Sequence, residues 1–106
     1  MKKVLHLTLK KKWFDLIASG EKKEEYRECK PYWFERLHGR CGNDYKHFDL
    51  VHFRNGYNRY SPFLIVECLG ISRGKGNPLW GAPEKDVYII KLGRIITAGQ
   101  KEGRNE

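Results

Sequence analysis

The sequence has no apolar run near the roughly 18–20 residues that a membrane-spanning helix needs. A membrane partner is therefore not expected. Its 3 cysteines are odd in number and irregularly spaced, which excludes a disulfide framework. No segment repeats at a solenoid period. Acidic residues are scarce beside basic ones: 13 Asp and Glu against 21 Lys and Arg leave a formal charge of +8. On so small a domain this is a positive surface field that favours phosphate-rich or otherwise anionic partners. The plainer use of such a surface is solubility. Met1-Lys2-Lys3 mimics the start of a signal peptide, but Val4 to Leu9 is too short and too alternating to continue one. A cytoplasmic location is expected.

Several chemistries also lack their residues. Gly74-Lys75-Gly76-Asn77-Pro78-Leu79-Trp80-Gly81 is neither a dinucleotide fingerprint nor a P-loop, because Pro78 opposes a helix opening there and no Gly-Lys-Ser/Thr follows. Cys29, His38, Cys41 and His47 contain no CxxC knuckle and fit no common zinc arrangement, so neither metal nor cofactor is expected. None of Thr8, Ser19, Ser61, Ser72 and Thr97 stands in an activating context.

What is present is one domain of 106 residues, 40% hydrophobic and 32% charged, long enough to bury a core without staples. Leu5, Leu7 and Leu9 alternate as in a strand. Trp13, Leu16 and Ile17 share one face of a helix that stops at Gly20. Lys22–Glu28 reads as a charged strand. Pro31 opens a second helical turn, which directs Trp33, Phe34 and Leu37 inward. Strands follow at Phe48–Arg54, Phe63–Ile71 and Val87–Leu92, with Arg94–Thr97 as an extension of the last and a loop over Gly70–Pro83. This order is too strand-rich for a bundle and lacks βαβα alternation. A small mixed or closed antiparallel sheet with one or two helices is expected.

Four segments stand out. Gly20-Glu21-Lys22-Lys23-Glu24-Glu25-Tyr26-Arg27 is densely charged at a helix-to-strand junction. In an ideal strand Glu25 and Arg27 share a face and Lys22 points away, so Lys22 meets Glu25 only if the chain turns near Lys23. From spacing alone, a solvated, charge-protected edge is the simpler reading. Glu67 interrupts the most apolar strand, where a carboxylate must meet a cation or line a wet cavity. Arg54, Asn55 and Tyr57 surround a tight turn and offer guanidinium, amide and stacking contacts to a nucleotide. Trp80 tips a basic loop, either to stack a base or to plug the end of the sheet.

Gly20-x-Lys22-x-x-Glu25-x-Arg27, set just after a helix with Trp13 and Asp15-Leu16-Ile17, resembles the signature of the ASCH domains, which are similar to the PUA RNA-binding domain. The resemblance covers most of the chain: Phe53–Tyr57, the Glu67 strand and Tyr88–Gly93 also look like small single-domain ASCH proteins of bacteria and phages. It implies an α+β fold, a PUA-like small β-barrel of about five to six mostly antiparallel strands with one or two packed helices. The domain spans residues 1–98, with a charged, frayed tail over 99–106. It also implies a cleft beside the barrel.

The family is associated with RNA binding, RNA modification and transcriptional coactivation. Some small members are amidohydrolases that deacetylate N4-acetylcytidine, and ribonuclease activity occurs as well. The amidohydrolase site is a Lys, a Thr nucleophile and a Glu. Lys22 matches that Lys and Glu67 the Glu by its strand, but Glu25 stands where the Thr would be. A carboxylate does not copy the acyl transfer of a hydroxyl.

The leading expectation is a monomeric module that binds RNA or a nucleotide. Lys22, Arg27 and Arg54 contact phosphate, Tyr57 or Trp80 stacks a base, Asn55 adds an amide, and Glu25 or Glu67 accepts from a base amine. The alternative is a small hydrolase acting on a modified nucleoside or on RNA. Two carboxylates beside Lys22 would keep it charged, as a clamp for developing negative charge, with a Glu as base. A third option is an adaptor whose acidic protein partner reads the basic face.

Overall fold

The computed structural model describes residues 2–40, 42 and 44–100. Cys41 and residues 101–106, to which the zinc and tail readings extend, lie outside the described residues.

Chain order is β1 (Val4–Thr8), α1 (Lys11–Ala18), β2 (Glu24–Glu28), α2 (Pro31–Leu37), β3 (Leu50–Arg54), β4 (Pro62–Lys75), a 3-10 turn (Pro78–Trp80) and β5 (Asp86–Gln100). The strands form one mixed half-barrel sheet in the order β1-β3-β4-β5-β2. Only β1 and β3 run parallel, Leu5 opposite Val51 and Leu7 opposite Phe53. A parallel pair needs a long crossover, and here α1, β2 and α2 lie between its two strands. Among the described residues no helix is long and apolar enough to cross a membrane.

Alternation builds the core. Leu5, Leu7, Val51, Phe53, Leu64, Val66, Ile90 and Leu92 are buried on the inner face of the sheet, joined by Phe14 and Ile17 of α1 and Leu37 of α2. Burying each such side chain contributes roughly 1.5–3 kcal/mol relative to exposure. The helix faces differ from expectation. Phe14, not Trp13, pairs with Ile17 as the buried stripe of α1. Phe34 of α2 stays 44% exposed, and Trp33 is only partly covered. In both helices the polar neighbours leave two candidate apolar faces, and contact with the sheet selects one.

The longest departure is in β4. Its expected end at Ile71 is passed, and the strand continues to Lys75 by pairing Ile71 with Ile90 and Arg73 with Tyr88. Gly70, where the expected loop begins, has φ +138° and sits among register shifts between Ile65 and Gly70. It marks a bulge inside one strand, not a strand end. β5 likewise extends past residue 98: Gly99 and Gln100 pair with Phe63 and Pro62.

Pro78 does open a helical turn, a short 3-10 one in which the Asn77 side chain accepts from Leu79 N at 2.9 Å. Proline suits this first position because its missing N–H would be unpaired there anyway. A second, smaller core of Tyr26, Ala82 and Val87 fastens this loop to β2. Gly76 permits that approach, since a Cβ there would fall 2.5 Å from the Tyr26 ring.

Candidate functional site

The sheet is open between its two end strands, and the opening holds a cleft of about 590 Å³. Backbone period decides what faces it. Leu9 N donates to Arg54 O, so by alternation the peptide groups of Leu5, Leu7 and Leu9 turn toward β3 and those of His6 and Thr8 toward the opening. Leu92 N donates to Lys23 O, so the Glu24, Tyr26 and Glu28 peptides turn to the free side of β2. Arg27 bridges the two edges, donating from Nη1 to Tyr26 O at 2.8 Å and from Nη2 to Thr8 O at 3.2 Å. One guanidinium thus stands where a closed barrel would have a backbone ladder.

The floor is charged and buried. Gly20, at φ +86°, ends α1, and Glu21 N and Lys22 N both donate to Leu16 O. This turn is what lets Lys22 meet Glu25. Lys22 is only 2% exposed and Glu25 only 5%, so the solvated-edge reading fails at both. Lys22 Nζ lies 3.1 Å from Glu25 Oε1 and donates to Trp80 O at 2.6 Å. It sits over the rings of Tyr26 and Trp13, at 4.7 and 5.1 Å from their centroids. Glu25 Oε2 accepts from Arg27 Nη1, whose guanidinium rests on Trp33. The result is a cation–anion–cation chain with one net positive charge. Such a chain survives burial only because each member is paired.

Burial lowers the Lys22 pKa from its ordinary value, and the Glu25 carboxylate opposes this only in part. The expected strengthening of its charge by Glu25 and Glu67 does not prevail, because burial outweighs Glu25 and Glu67 is elsewhere. Burial also pushes the Tyr26 phenol up to about 12. Its hydroxyl donates to Glu24 at 2.7 Å and accepts from Asn77 N at 2.9 Å.

Of the residues singled out in the sequence, Lys22, Glu25, Arg27, Tyr57 and Trp80 line this cleft. Glu67, Arg54 and Asn55 do not. Glu67 does meet a cation: its Oε1 accepts from Arg94 N at 2.8 Å and lies 3.5 Å from Arg94 Nε. Those contacts hold its carboxyl below the usual range, with the backbone hydrogen bond the larger cause. Gly93, where a Cβ would come 2.7 Å from Glu67 Oε1, leaves room for this side chain on β4. Arg54 donates to Asn58 O at 3.0 Å within its own loop. Asn55 donates to Leu9 O at 3.0 Å and so braces the end of β1.

The sequence reading missed Trp13, Trp33, Tyr32 and Arg36. All 3 tryptophans of the chain line the cleft. Their convergence was not visible because Trp13 and Trp33 also fit helix core positions. Arg36 lies over the rings of Trp33 and Tyr32, at 5.5 and 5.6 Å from their centroids. Away from the cleft, the rings of His38 and His47, two of the four residues that fit no zinc arrangement, are engaged by Tyr88 and Asp49, each at 3.0 Å. Set against family models, curated proteins and solved structures, the chain matches none.

Proposed function

We propose that this protein binds RNA through the cleft, with one base entering between aromatic walls and its polar edge reaching Lys22 and Arg27. The observation that carries the reading is the buried Lys22–Glu25–Arg27 chain on the floor of a cleft that gathers all 3 tryptophans of a +8 protein. Flat rings supply faces for stacking, and the basic field draws in the phosphate backbone. The resemblance to ASCH domains supports the same reading, with the protein acting as a cytoplasmic monomer.

The tryptophans report on their own site. Single-stranded RNA is expected to quench their fluorescence at low ionic strength. The affinity should fall as salt rises, with a log–log slope of about 0.7 per phosphate contacted. Unchanged fluorescence together with unchanged mobility at low salt overturns the reading.

A second reading, hydrolysis of an acylated nucleoside, draws on the lowered pKa of Lys22 and on Thr8, whose hydroxyl residue lines the same cleft. A lysine that loses its proton readily serves as a base. Glu67 has no part in either reading. Glu67→Gln is therefore expected to leave RNA affinity and any nucleoside turnover within about twofold of the parent, since surface changes away from a site are usually worth under ~0.5 kcal/mol. A tenfold loss, measured by the same titration or by mass spectrometry of nucleosides, would restore Glu67 to the site.

A further inference from the structure

The charged groups that line the cleft are one-sided, with Lys10, Lys22, Arg27 and Arg36 set against Glu25. Four main-chain carbonyls at the cleft already accept from side chains of the protein itself: His6 O from Arg36, Thr8 O and Tyr26 O from Arg27, and Trp80 O from Lys22. Glu25 is engaged in the same way, with Oε1 on Lys22 and Oε2 on Arg27. The Tyr32 hydroxyl accepts from Arg36 at 2.9 Å. Each of these acceptors keeps a further lone pair, but each has a cation beside it that opposes the approach of another donor.

Donors remain. An ammonium carries three N–H groups and a guanidinium five. Lys22 has placed two of its three, on Glu25 and Trp80 O. Arg27 has placed three of its five, on Glu25, Tyr26 O and Thr8 O. The His6 and Thr8 peptide N–H groups turn to the open side of β1 by the same alternation that exposes their carbonyls. The floor is also net positive.

We infer that the cleft selects bases carrying a keto oxygen where others carry an amino group, that is, uracil over cytosine and the 6-oxopurines over adenine. This rests on the proposal that the cleft binds a base, and it deepens that proposal by naming the class. A keto oxygen receives the spare Lys22 and Arg27 donors. An exocyclic amine at the same position faces those donors with a donor of its own and leaves groups on both sides unpaired at a buried floor. Sites that hydrogen-bond one partner reject the mismatched one far more strongly than sites that only match shape. The expectation that Glu25 accepts from a base amine is accordingly replaced.

The test varies the ligand and leaves the protein intact. Inosine and adenosine differ at position 6 in this respect, and uridine and cytidine differ at position 4. Titrating the four nucleosides by tryptophan quenching, with a mixed-sequence RNA oligonucleotide alongside, is expected to show inosine and uridine each binding at least about tenfold tighter than its amino counterpart. Equal affinities within a pair, or preference for adenosine and cytidine, overturn the selectivity while leaving base binding in place. If neither the nucleosides nor the oligonucleotide binds, the base-binding proposal itself falls, and the selectivity with it.

Discussion

Replacing Glu25 by alanine is expected to cost about 3–5 kcal/mol of stability, the range for leaving buried charge without its partner. The parent side chain is 5% exposed and is the one carboxylate that binds both Lys22 and Arg27. Its loss strands two cations in a buried floor. For a domain of this length the change lowers the melting temperature by at least about 12 °C, at roughly 4 °C or more per kcal/mol. Since whole domains are stable by only about 5–15 kcal/mol, the variant will be close to unfolding, and urea midpoints serve if heating is irreversible. A Lys22→Met, Glu25→Leu double variant separates burial of charge from loss of packing. It should recover the part of the loss that comes from Lys22, because an apolar pair of similar volume often replaces a buried ion pair without penalty, while Arg27, 15% exposed, is still left without its carboxylate. A drop of under about 4 °C for Glu25→Ala would show that the carboxylate neutralises nothing of consequence.

The single variant Lys22→Met should behave in the opposite way. Stability falls by only about 1–3 kcal/mol, because Glu25 keeps Arg27 while the bonds to Trp80 O and Glu25 Oε1 are lost. Ligand affinity falls further, by roughly a hundredfold, since Lys22 supplies both charge and the spare donor at the floor. The pH dependence gives an independent sign.

Burial depresses the Lys22 pKa in the folded state below its ordinary 10.5. Between those two pKa values the unfolded chain binds more protons, so the contribution of this residue is fully present above 10.5 and is lost as pH falls through the folded value. The parent should therefore gain stability relative to Lys22→Met as pH rises through the alkaline range. The comparison is best made below about pH 10, the ordinary tyrosine pKa. Above it the contribution of Tyr26, whose folded pKa is about 12, begins to be lost. Parallel stability curves for the two proteins would show that Lys22 is not desolvated.

The two helices show how far pattern reading reaches. Trp13, Leu16 and Ile17 have helical spacing, and a helix forms there, yet Phe14 takes the inner position beside Ile17. The choice between overlapping apolar stripes depends on where the helix axis lies over the sheet, which no local pattern encodes. Glu67 teaches a related lesson. A carboxylate in an apolar strand correctly implied a cationic partner, but several Arg and Lys residues were available. The bulge between Val66 and Cys68 and the return of β5 assign it to Arg94. Gly70 opens the expected loop but is a bulge, because β5 continues to offer paired backbone beyond it.

From the residues alone came a single basic domain, most of its strands, and a helix-to-strand junction carrying Lys22, Glu25 and Arg27. Their meeting was conditional on a turn at Lys23, because alternation in an ideal strand separates Lys22 from Glu25. Periodicity is a property of neighbours along the chain, so it reports which side chains share a face and not what that face meets. Tertiary structure supplied the rest. A half-barrel whose end strands do not pair leaves an opening, and into it converge tryptophans from α1, α2 and the loop before β5. The same opening buries the charged junction and lowers the Lys22 pKa by desolvation, an effect that depends only on what the rest of the chain excludes from around it.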